Sequence, residues 1–417
     1  MDAAAADFST RIGTPVLETL KRYALAALGP FTIAGAHFLS SILFLKTMAP
    51  AAFGLFAFVL VAVPFWLGVS VALFGAPMAT RPREELPTLM KANALFCVLA
   101  GVGTTLVMAA SGADAVTAGW LGVYGGVMCL RWFARWLAYT MQKPLTAVLS
   151  DVAYGALLVA GLAALIVFKR ESMANAAIVL SASALAGLAV FGWDFVSEQA
   201  RALRDGSLKA YAPIWRDLTQ WALLGIVTSE LSVNAHAYLV TLASGPKAFA
   251  LIAAGSLFMR PVALCLTALP DRERPLMVET LRAGDRDGAL RCVRDFRGAV
   301  GAIWLLTMAL AAAALLWFPH LVLKADYDQR LVVIVVALWA VIMAVRGWRT
   351  PEAVLLQAAR AFKPLAGASV WSSIVSVGAT AILLWAFGPV ASLLGILVGD
   401  IVLTTRVGAL KRRWQFA

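Results

Sequence analysis

Charged side chains are scarce in this sequence of 417 residues, and their scarcity argues against a water-soluble protein. Only 14% of the residues are Asp, Glu, Lys or Arg, whereas 61% are hydrophobic. Soluble domains contain roughly half apolar residues. The apolar residues here are grouped in blocks of about twenty, the length of helix that crosses about 30 Å of hydrocarbon. The sequence therefore predicts an all-α integral membrane protein with about twelve transmembrane helices.

Histidine and cysteine, the residues of metal and disulfide sites, are also rare. The chain has three histidines and four cysteines, which are Cys97, Cys129, Cys265 and Cys292. No CxxC pair and no cluster of His and Cys occurs, so we predict no disulfide framework, no metal site and no cofactor. A GxxxxGK[ST] phosphate-binding loop is missing too, and we therefore expect no ATPase reaction.

Long hydrophilic segments are lacking, which argues against two further classes of function. The net charge of +12 could indicate nucleic-acid binding, but no soluble domain is present to carry it. An integral-membrane glycosyltransferase or polymerase typically needs a large outer loop with catalytic acids or histidines. The outer loops here are short, and only His320, Asp326 and Asp328 cluster in one of them. We therefore predict that the chain binds no nucleic acid, is not an enzyme and has no catalytic residue.

Twelve apolar blocks define the predicted spans. The first six cover about 23–45, 51–75, 92–110, 115–137, 145–168 and 176–197, and the second six cover about 218–242, 247–269, 298–323, 331–346, 365–387 and 389–409. The first block is long enough to span, so we interpret it as an uncleaved helix and not as a signal peptide. The predicted organisation is an N-terminal segment 1–22, an N-lobe 23–198, a linker 199–217, a C-lobe 218–410 and a basic tail 411–417.

The distribution of lysine and arginine predicts the orientation. With both termini on the cytoplasmic side, 29 of the 35 basic residues fall on or nearest that side and six fall outside. Basic residues accumulate in cytoplasmic loops of membrane proteins. The chain is therefore predicted to be a multi-pass membrane protein with both termini in the cytoplasm.

The longest predicted loop, 270–297, is cytoplasmic and basic. Leu290, Val293 and Phe296 recur in it at helical spacing between arginines. This pattern is typical of an amphipathic helix, and we expect the segment to lie along the inner membrane surface.

The two halves of the chain resemble each other. The string from Leu45 to Leu55 resembles the string from Leu239 to Leu251, with two residues inserted. A second match pairs Lys143-Pro144-Leu145, before the fifth span, with Lys363-Pro364-Leu365, before the eleventh. The order of these matches predicts two six-helix lobes related by a parallel repeat, with the substrate route between them.

Several segments resemble members of the multidrug/oligosaccharidyl-lipid/polysaccharide (MOP) exporter superfamily, in particular its Wzx-type polysaccharide flippases. They are the first hairpin (44–57), the stretch after span 8 (275–285), the segment before span 11 (355–363) and the turn before span 12 (387–392). The turn of the first hairpin departs from the pattern, because Ala52 stands where such proteins often carry an acidic residue. The resemblance implies two six-helix lobes around a central, often cationic cavity that opens alternately to each side.

The same resemblance implies the function and the partners. It implies that the chain lies in the bacterial inner (plasma) membrane and translocates an undecaprenyl-pyrophosphate-linked oligosaccharide across it for surface or exopolysaccharide biosynthesis. The partners implied are this polyprenyl pyrophosphate substrate, membrane lipids and glycan polymerase machinery, and we expect a monomer. A multidrug or cation antiporter, a lipid II flippase, a glycosyltransferase or polymerase, and a sugar facilitator remain alternatives.

Charged residues within spans are the best candidates for function, because a charge at mid-membrane costs about 2.5–3.5 kcal/mol on insertion scales. Arg260 lies near the midpoint of span 8 and is followed by Pro261. A guanidinium suits a pyrophosphate because it is always charged and binds two oxygens at once. Arg260 is therefore a predicted substrate ligand, and a structural ion pair with Glu230 or Asp400 is the alternative.

Three more residues are candidate substrate ligands. Arg131 and Arg135 are four residues apart at the cytoplasmic end of span 4, with a tryptophan after each. They could line the cavity, or they could anchor the helix at the membrane interface. His37, near the middle of span 1, could titrate near neutral pH, although a lone histidine is more often a packing residue.

Five polar residues in the second half are candidates for ion coupling. Glu230, Asn234 and His236 lie in span 7, with Asn234 one helical turn after Glu230. Asp400 lies in span 12 with Thr404 one turn later. The two carboxylates could form a proton or cation site, or they could pair with Arg260 or Arg406. Asp151 is expected to be structural.

Overall fold

The computed structural model describes residues 28–75, 77–78, 83–319, 323–324 and 326–416, and every regular element among them is helical. The segment 1–22 and the predicted start of the first span at Tyr23 lie outside the described residues. His320 also lies outside them. The predicted all-α class is confirmed.

Fourteen helices of more than ten residues lie in these ranges and are numbered here in chain order. In the first half they are α1 (Leu28–Thr47), α2 (Pro50–Ser70, continued by a π-turn Val71–Gly75), α3 (Leu86–Ala110), α4 (Ala115–Thr140), α5 (Pro144–Val167), α6 (Met173–Ala189) and α7 (Gly192–Asp205). In the second half they are α8 (Gln220–Ser244), α9 (Pro246–Phe258), α10 (Arg260–Arg282), α11 (Arg286–Trp317), α12 (Gln329–Ala358), α13 (Phe362–Phe387) and α14 (Ser392–Phe416).

The helices that are long and apolar enough to cross a membrane number nine among the described residues, or up to 11 if two bent pairs each count as one span. The pairs are α6 with α7, bent by 94°, and α9 with α10, bent by 61°. The predicted fourth span forms as the 26-residue α4, but α4 is not among these candidates. The count of twelve spans therefore stays a prediction.

The chain folds into two compact units. The first takes in the described residues up to Ser40, Trp66–Val107 and Asp114–Gln220, and the second takes in Ser41–Phe65, Met108–Ala113 and Trp221–Ala417. The predicted lobes cover 23–198 and 218–410. The two units differ from those lobes because the end of α1 and most of α2 belong to the second unit.

The backbone of the two halves shares local features at both repeat matches. Pro50 and Pro246 each open a helix, and each is followed three residues later by a buried phenylalanine. Proline suits the first helical position because its missing N–H has no partner there. At the second match, α4 and α12 end in the same way. Gln142 and Arg360 both adopt positive φ, and the next amide donates to the carbonyl five residues earlier, from Lys143 to Ala138 and from Ala361 to Leu356.

A close backbone approach joins α2 to α9 within the second unit. A Cβ built on Gly54 would lie 1.8 Å from the carbonyl oxygen of Pro246. Only a glycine allows this separation, so Gly54 is required where the two helices cross.

The predicted surface loop 270–297 is a helical hairpin, which corrects the expectation for this segment. Residues up to Arg282 belong to α10, and α11 starts at Arg286, after Gly284 at φ +77°. Val293 and Phe296 are buried with Val354 and Leu355 of α12 in one apolar cluster, and Leu290 packs against it. The amphipathic pattern is therefore real, but its apolar face packs on protein and not on the membrane surface.

Candidate functional site

A buried ionic cluster on α4 and α5 centres on Asp151 in the first unit. Its Oδ1 atom accepts a hydrogen bond from Arg131 Nη2 at 2.6 Å, and its Oδ2 atom accepts one from Arg135 Nε at 3.0 Å. The side chains of Arg131 and Asp151 are 0% exposed. The interpretation of Arg131 and Arg135 as interfacial anchors is therefore wrong, because neither guanidinium reaches out to a surface. The two buried ion pairs of Asp151 are consistent with the structural role expected for it.

Two glycines make room for this cluster. A Cβ on Gly29 of α1 would lie 2.2 Å from Asp151 Oδ2, and a Cβ on Gly187 of α6 would lie 2.6 Å from Arg131 Nε. The neighbouring helices thus approach the charged groups closely and exclude water from them. Exclusion of water strengthens the attraction between the charges but also makes any unpaired charge costly.

Tyr154 contacts both this cluster and His37. Tyr154 Oη lies 2.6 Å from His37 Nε2 and 3.0 Å from Tyr124 Oη. The ring of Tyr154 also lies under the Arg131 guanidinium, 4.8 Å from its carbon to the ring centroid. His37 is therefore linked through Tyr154 to the predicted ligand Arg131, and Arg131 and Arg135 share Asp151. Its role in substrate binding stays a prediction.

Asp400 is the centre of a similar cluster in the second unit. It accepts a hydrogen bond from Arg346 Nε at 2.8 Å and from Arg349 Nη1 at 2.7 Å, and its side chain is 8% exposed. The predicted partners Arg260 and Arg406 are wrong. Arg406 stacks instead over the ring of Trp371.

Glu352 of α12 is likewise shared by two cations. Its Oε1 atom lies 2.9 Å from Arg297 Nη2 and 3.0 Å from Lys411 Nζ. Together with Asp151 and Asp400, this makes three carboxylates that each hold two basic side chains. Each cluster thus carries a formal excess of one positive charge.

Glu230 of α8 contrasts with these three carboxylates. Its Oε1 atom accepts hydrogen bonds from Asn234 Nδ2 at 3.1 Å and from Tyr238 Oη at 2.8 Å. No ion pair to Glu230 occurs among the described residues. The predicted proximity of Asn234 is confirmed, whereas the alternative pairing of Glu230 with Arg260 or Arg406 is not found.

The other two coupling candidates do not contact a carboxylate in the part of the chain that the structure describes. His236 is buried between the rings of Phe249 and Trp339, with centroid distances of 6.3 and 5.4 Å. The Thr404 hydroxyl donates to the backbone carbonyl of Asp400 at 2.7 Å, and so does not bind its side chain. Their predicted part in ion coupling has no geometric support beyond the helices that carry them.

Arg260 stands at the break between α9 and α10. It is the first residue of α10, after Met259, and Pro261 follows it within a predicted span. The side chain is half-buried, and it forms no hydrogen bond or ion pair with any residue in the described ranges. The predicted pairs with Glu230 and Asp400 are not formed. A guanidinium in this position is available to an anion from outside the chain.

Arg349, Tyr154 and Tyr238 also belong to these clusters, although none of them is among the residues predicted from the sequence. Arg349 lies one turn after Arg346, but both fall at or beyond the predicted end of span 10. Tyr154 lies three residues after Asp151 and Tyr238 lies eight after Glu230. Helical spacing from a carboxylate is the signal that could have found them, since residues one or two turns apart share a helix face.

Comparison of the sequence with protein-family profiles and with curated proteins finds no match. The structure, in contrast, resembles several solved transporters. An inward-facing multidrug resistance MATE transporter of the MOP superfamily has a TM-score of 0.66 and 14% identity, over 93% of this chain and 99% of that one.

Two further solved structures extend this result. The lipid II flippase MurJ in an inward closed conformation has a TM-score of 0.68 and 11% identity, over 92% of this chain and 86% of that one. A MOP superfamily transporter from Pyrococcus furiosus has a TM-score of 0.55 and 14% identity, over 93% of both chains. The chain therefore has the fold of MOP-superfamily transporters.

Proposed function

We propose that this protein is a Wzx-type flippase that moves an undecaprenyl-pyrophosphate-linked oligosaccharide across the bacterial inner membrane by alternating access. It would act as a monomer with both termini in the cytoplasm and would supply the glycan to polymerase machinery. Two of the structural neighbours support transport in general, since one is a MATE transporter and another is a lipid II flippase.

The observation that carries the proposal is the guanidinium of Arg260 at the α9–α10 break, which has no partner among the described residues. A cation held inside a membrane protein without a carboxylate is costly, and such residues usually serve a function. A pyrophosphate is an anion with several oxygens close together, and arginine binds such groups with two parallel hydrogen bonds. The pyrophosphate of the substrate would then be the anionic partner that Arg260 lacks among the described residues.

The charge of the three ionic clusters supports an anionic substrate. Asp151, Asp400 and Glu352 each hold two basic side chains. The surplus positive charge favours anions in its surroundings and disfavours cations. We propose Arg131, Arg135 and His37 as secondary contributors to this positive environment in the first unit.

A second candidate function is export of cationic drugs in exchange for an ion. Glu230 favours it, because this carboxylate lies in a predicted span and binds only neutral donors among the described residues. Under the first proposal the same carboxylate, with Asn234, would bind the coupling proton or cation. His236, Asp400 and Thr404 would have at most an indirect part.

Reconstituted proteoliposomes test the proposal. We expect the purified chain to transfer a fluorescent polyprenyl-pyrophosphate oligosaccharide between leaflets, and Arg260→Ala to abolish this transfer at normal protein abundance. Arg260→Lys should retain part of the activity, because lysine keeps the charge but not the two-pronged geometry. Arg406→Ala is the matched control, since this arginine stacks on Trp371 without an ion pair among the described residues.

Full transfer by Arg260→Ala would rule the residue out as a substrate ligand. The second function would be established by two results together. The wild-type chain would transfer no lipid-linked oligosaccharide, and it would export a cationic dye in a proton-dependent way that Glu230→Gln abolishes.

A further inference from the structure

The chain turns sharply where α6 ends. Helix α6 is apolar and belongs to a predicted span, and α7 leaves it at an angle of 94°. The turn is made at Gly192, whose φ of +76° is open to glycine but strained for other residues. If α6 crosses the bilayer, a helix at right angles to it runs parallel to the membrane plane.

Helix α7 carries an apolar stripe that no described part of the chain covers. Trp193 is 78% exposed, Val196 is 46% exposed and Leu203 is 45% exposed. These residues and the exposed Ala200 are spaced by three or four positions, so they lie on one helix face. An uncovered apolar stripe of this length is unusual for a surface that faces water.

A second side of α7, about 110° around the helix from the stripe, is fixed to the protein. Phe195, Gln199 and Ala202 are buried, and the Gln199 side-chain amide donates to the backbone carbonyl of Met90 in α3 at 2.8 Å. Beyond the helix end, Gly206 approaches the carbonyl of Pro87, to which a Cβ would lie 2.4 Å away. Packing against α3 therefore fixes the direction in which the apolar stripe points.

We infer that α7 is a membrane-surface helix whose stripe of Trp193, Val196, Ala200 and Leu203 inserts into the boundary between lipid headgroups and acyl chains. Its direct continuation from a spanning helix places it at that boundary. Tryptophan is enriched there because its ring is apolar and its N–H is polar.

The polar residues of α7 fit the same placement. Asp194, Glu198, Arg201 and Asp205 are exposed on the face roughly opposite the stripe, where water would meet them. Arg204 is exposed at the edge of the stripe, from which its long side chain can extend the charge to the headgroups. Helices that lie in the interface combine one apolar and one charged face in this way. Because α7 carries three acidic and two basic residues, burial of apolar surface and not attraction to anionic lipid would hold it. We therefore expect attachment in phosphatidylcholine as well as in phosphatidylglycerol bilayers.

Spin-label scanning in nanodiscs tests the inference on the full chain. Single cysteines at 193, 196 and 203 on the stripe, and at 198 and 201 on the polar face, would carry a nitroxide. The background replaces the four native cysteines, Cys97, Cys129, Cys265 and Cys292. Stripe labels should collide more with oxygen than with a water-soluble nickel chelate, and polar-face labels should show the reverse order. Equal chelate access on both faces would overturn the inference.

Hydroxyl-radical footprinting of the unaltered chain provides a test that does not depend on cysteine replacement. Trp193 and Trp385 are both largely uncovered by protein, at 78% and 91% exposure, and Trp385 lies in the predicted spanning helix α13. In phosphatidylcholine nanodiscs both should be oxidised slowly, at similar rates. Fast oxidation of Trp193 beside a protected Trp385 would show that the stripe faces water, where it would instead serve a soluble protein partner.

Discussion

Asp151 of α5 accepts a 2.6 Å hydrogen bond from Arg131 of α4, and both side chains are completely buried. Because Arg135 binds the other carboxylate oxygen, one aspartate neutralises part of the charge of two arginines. Removal of the carboxylate would therefore leave two cations without a counter-charge in a region from which water is excluded. The consequences for stability differ from those of removing either arginine.

The first prediction concerns this cluster. Asp151→Asn should lower stability by about 3–5 kcal/mol, the typical cost of leaving a buried charge unpaired. Arg135→Met should cost less, since Arg131 and Asp151 can still pair. Thermal unfolding in detergent and protein abundance in the membrane would measure both. Asp194→Asn, on the exposed face of α7, is the matched control and should change neither.

The second prediction concerns Asp400. Arg346→Met and Arg349→Met each leave one ion pair intact, at 2.7 or 2.8 Å, so each should destabilise less than Asp400→Asn does. Thermal unfolding of the three variants would rank them. If Asp400 instead binds a coupling ion, Asp400→Asn would stop transport at unchanged thermal stability. That result would contradict a structural role for this carboxylate.

The third prediction concerns the crossing of α2 and α9. Gly54→Ala should destabilise the chain by about 1–3 kcal/mol, because the new methyl group would meet the Pro246 carbonyl and the helices would have to separate. Gly35→Ala is the matched control in α1, since no described atom lies within 4 Å of its Cβ position. There the removal of a helical glycine should stabilise by about 0.5–1 kcal/mol. Equal melting temperatures for the two variants would show that the crossing tolerates a side chain.

The helical class and most helix positions could be predicted from hydropathy, because lipid requires long apolar segments whose backbone groups are satisfied internally. Hydropathy did not predict the end of span 10 correctly. Its predicted end is at 346, yet α12 continues to Ala358 through Arg349, Pro351 and Glu352. These residues lower the hydropathy, but Asp400 and Lys411 on α14 neutralise the charges. A pattern within one segment cannot reveal partners that a distant segment supplies.

For the candidate site too, single charged residues could be predicted from the sequence but their partners could not. The presence of charge in spans 4, 7, 8 and 12 could be recognised from the sequence, and Asn234 could be placed beside Glu230 by helical spacing. The pairing could not, because Asp400 and Arg349 are 51 residues apart. The break at Met259 was signalled by Pro261, whereas the 94° turn at Gly192 had no comparable signal. A glycine alone is compatible with a continuous helix.

Glu230 is the subject of the fourth prediction. If it binds the coupling proton or cation, Glu230→Gln should uncouple substrate transfer from an imposed ion gradient, since the amide oxygen still accepts the hydrogen bonds of Asn234 and Tyr238 but carries no charge. Each charge that moves across a potential of 100 mV contributes about 2.3 kcal/mol, so the wild-type chain should concentrate substrate when a gradient is applied and the variant should only equilibrate it. Transfer assays in proteoliposomes, with and without the gradient and without ATP, would measure this difference. Glu279→Gln, an exposed site in α10 outside the predicted spans, is the matched control and should respond to the gradient as the wild type does. Undiminished accumulation by Glu230→Gln would place the coupling site elsewhere.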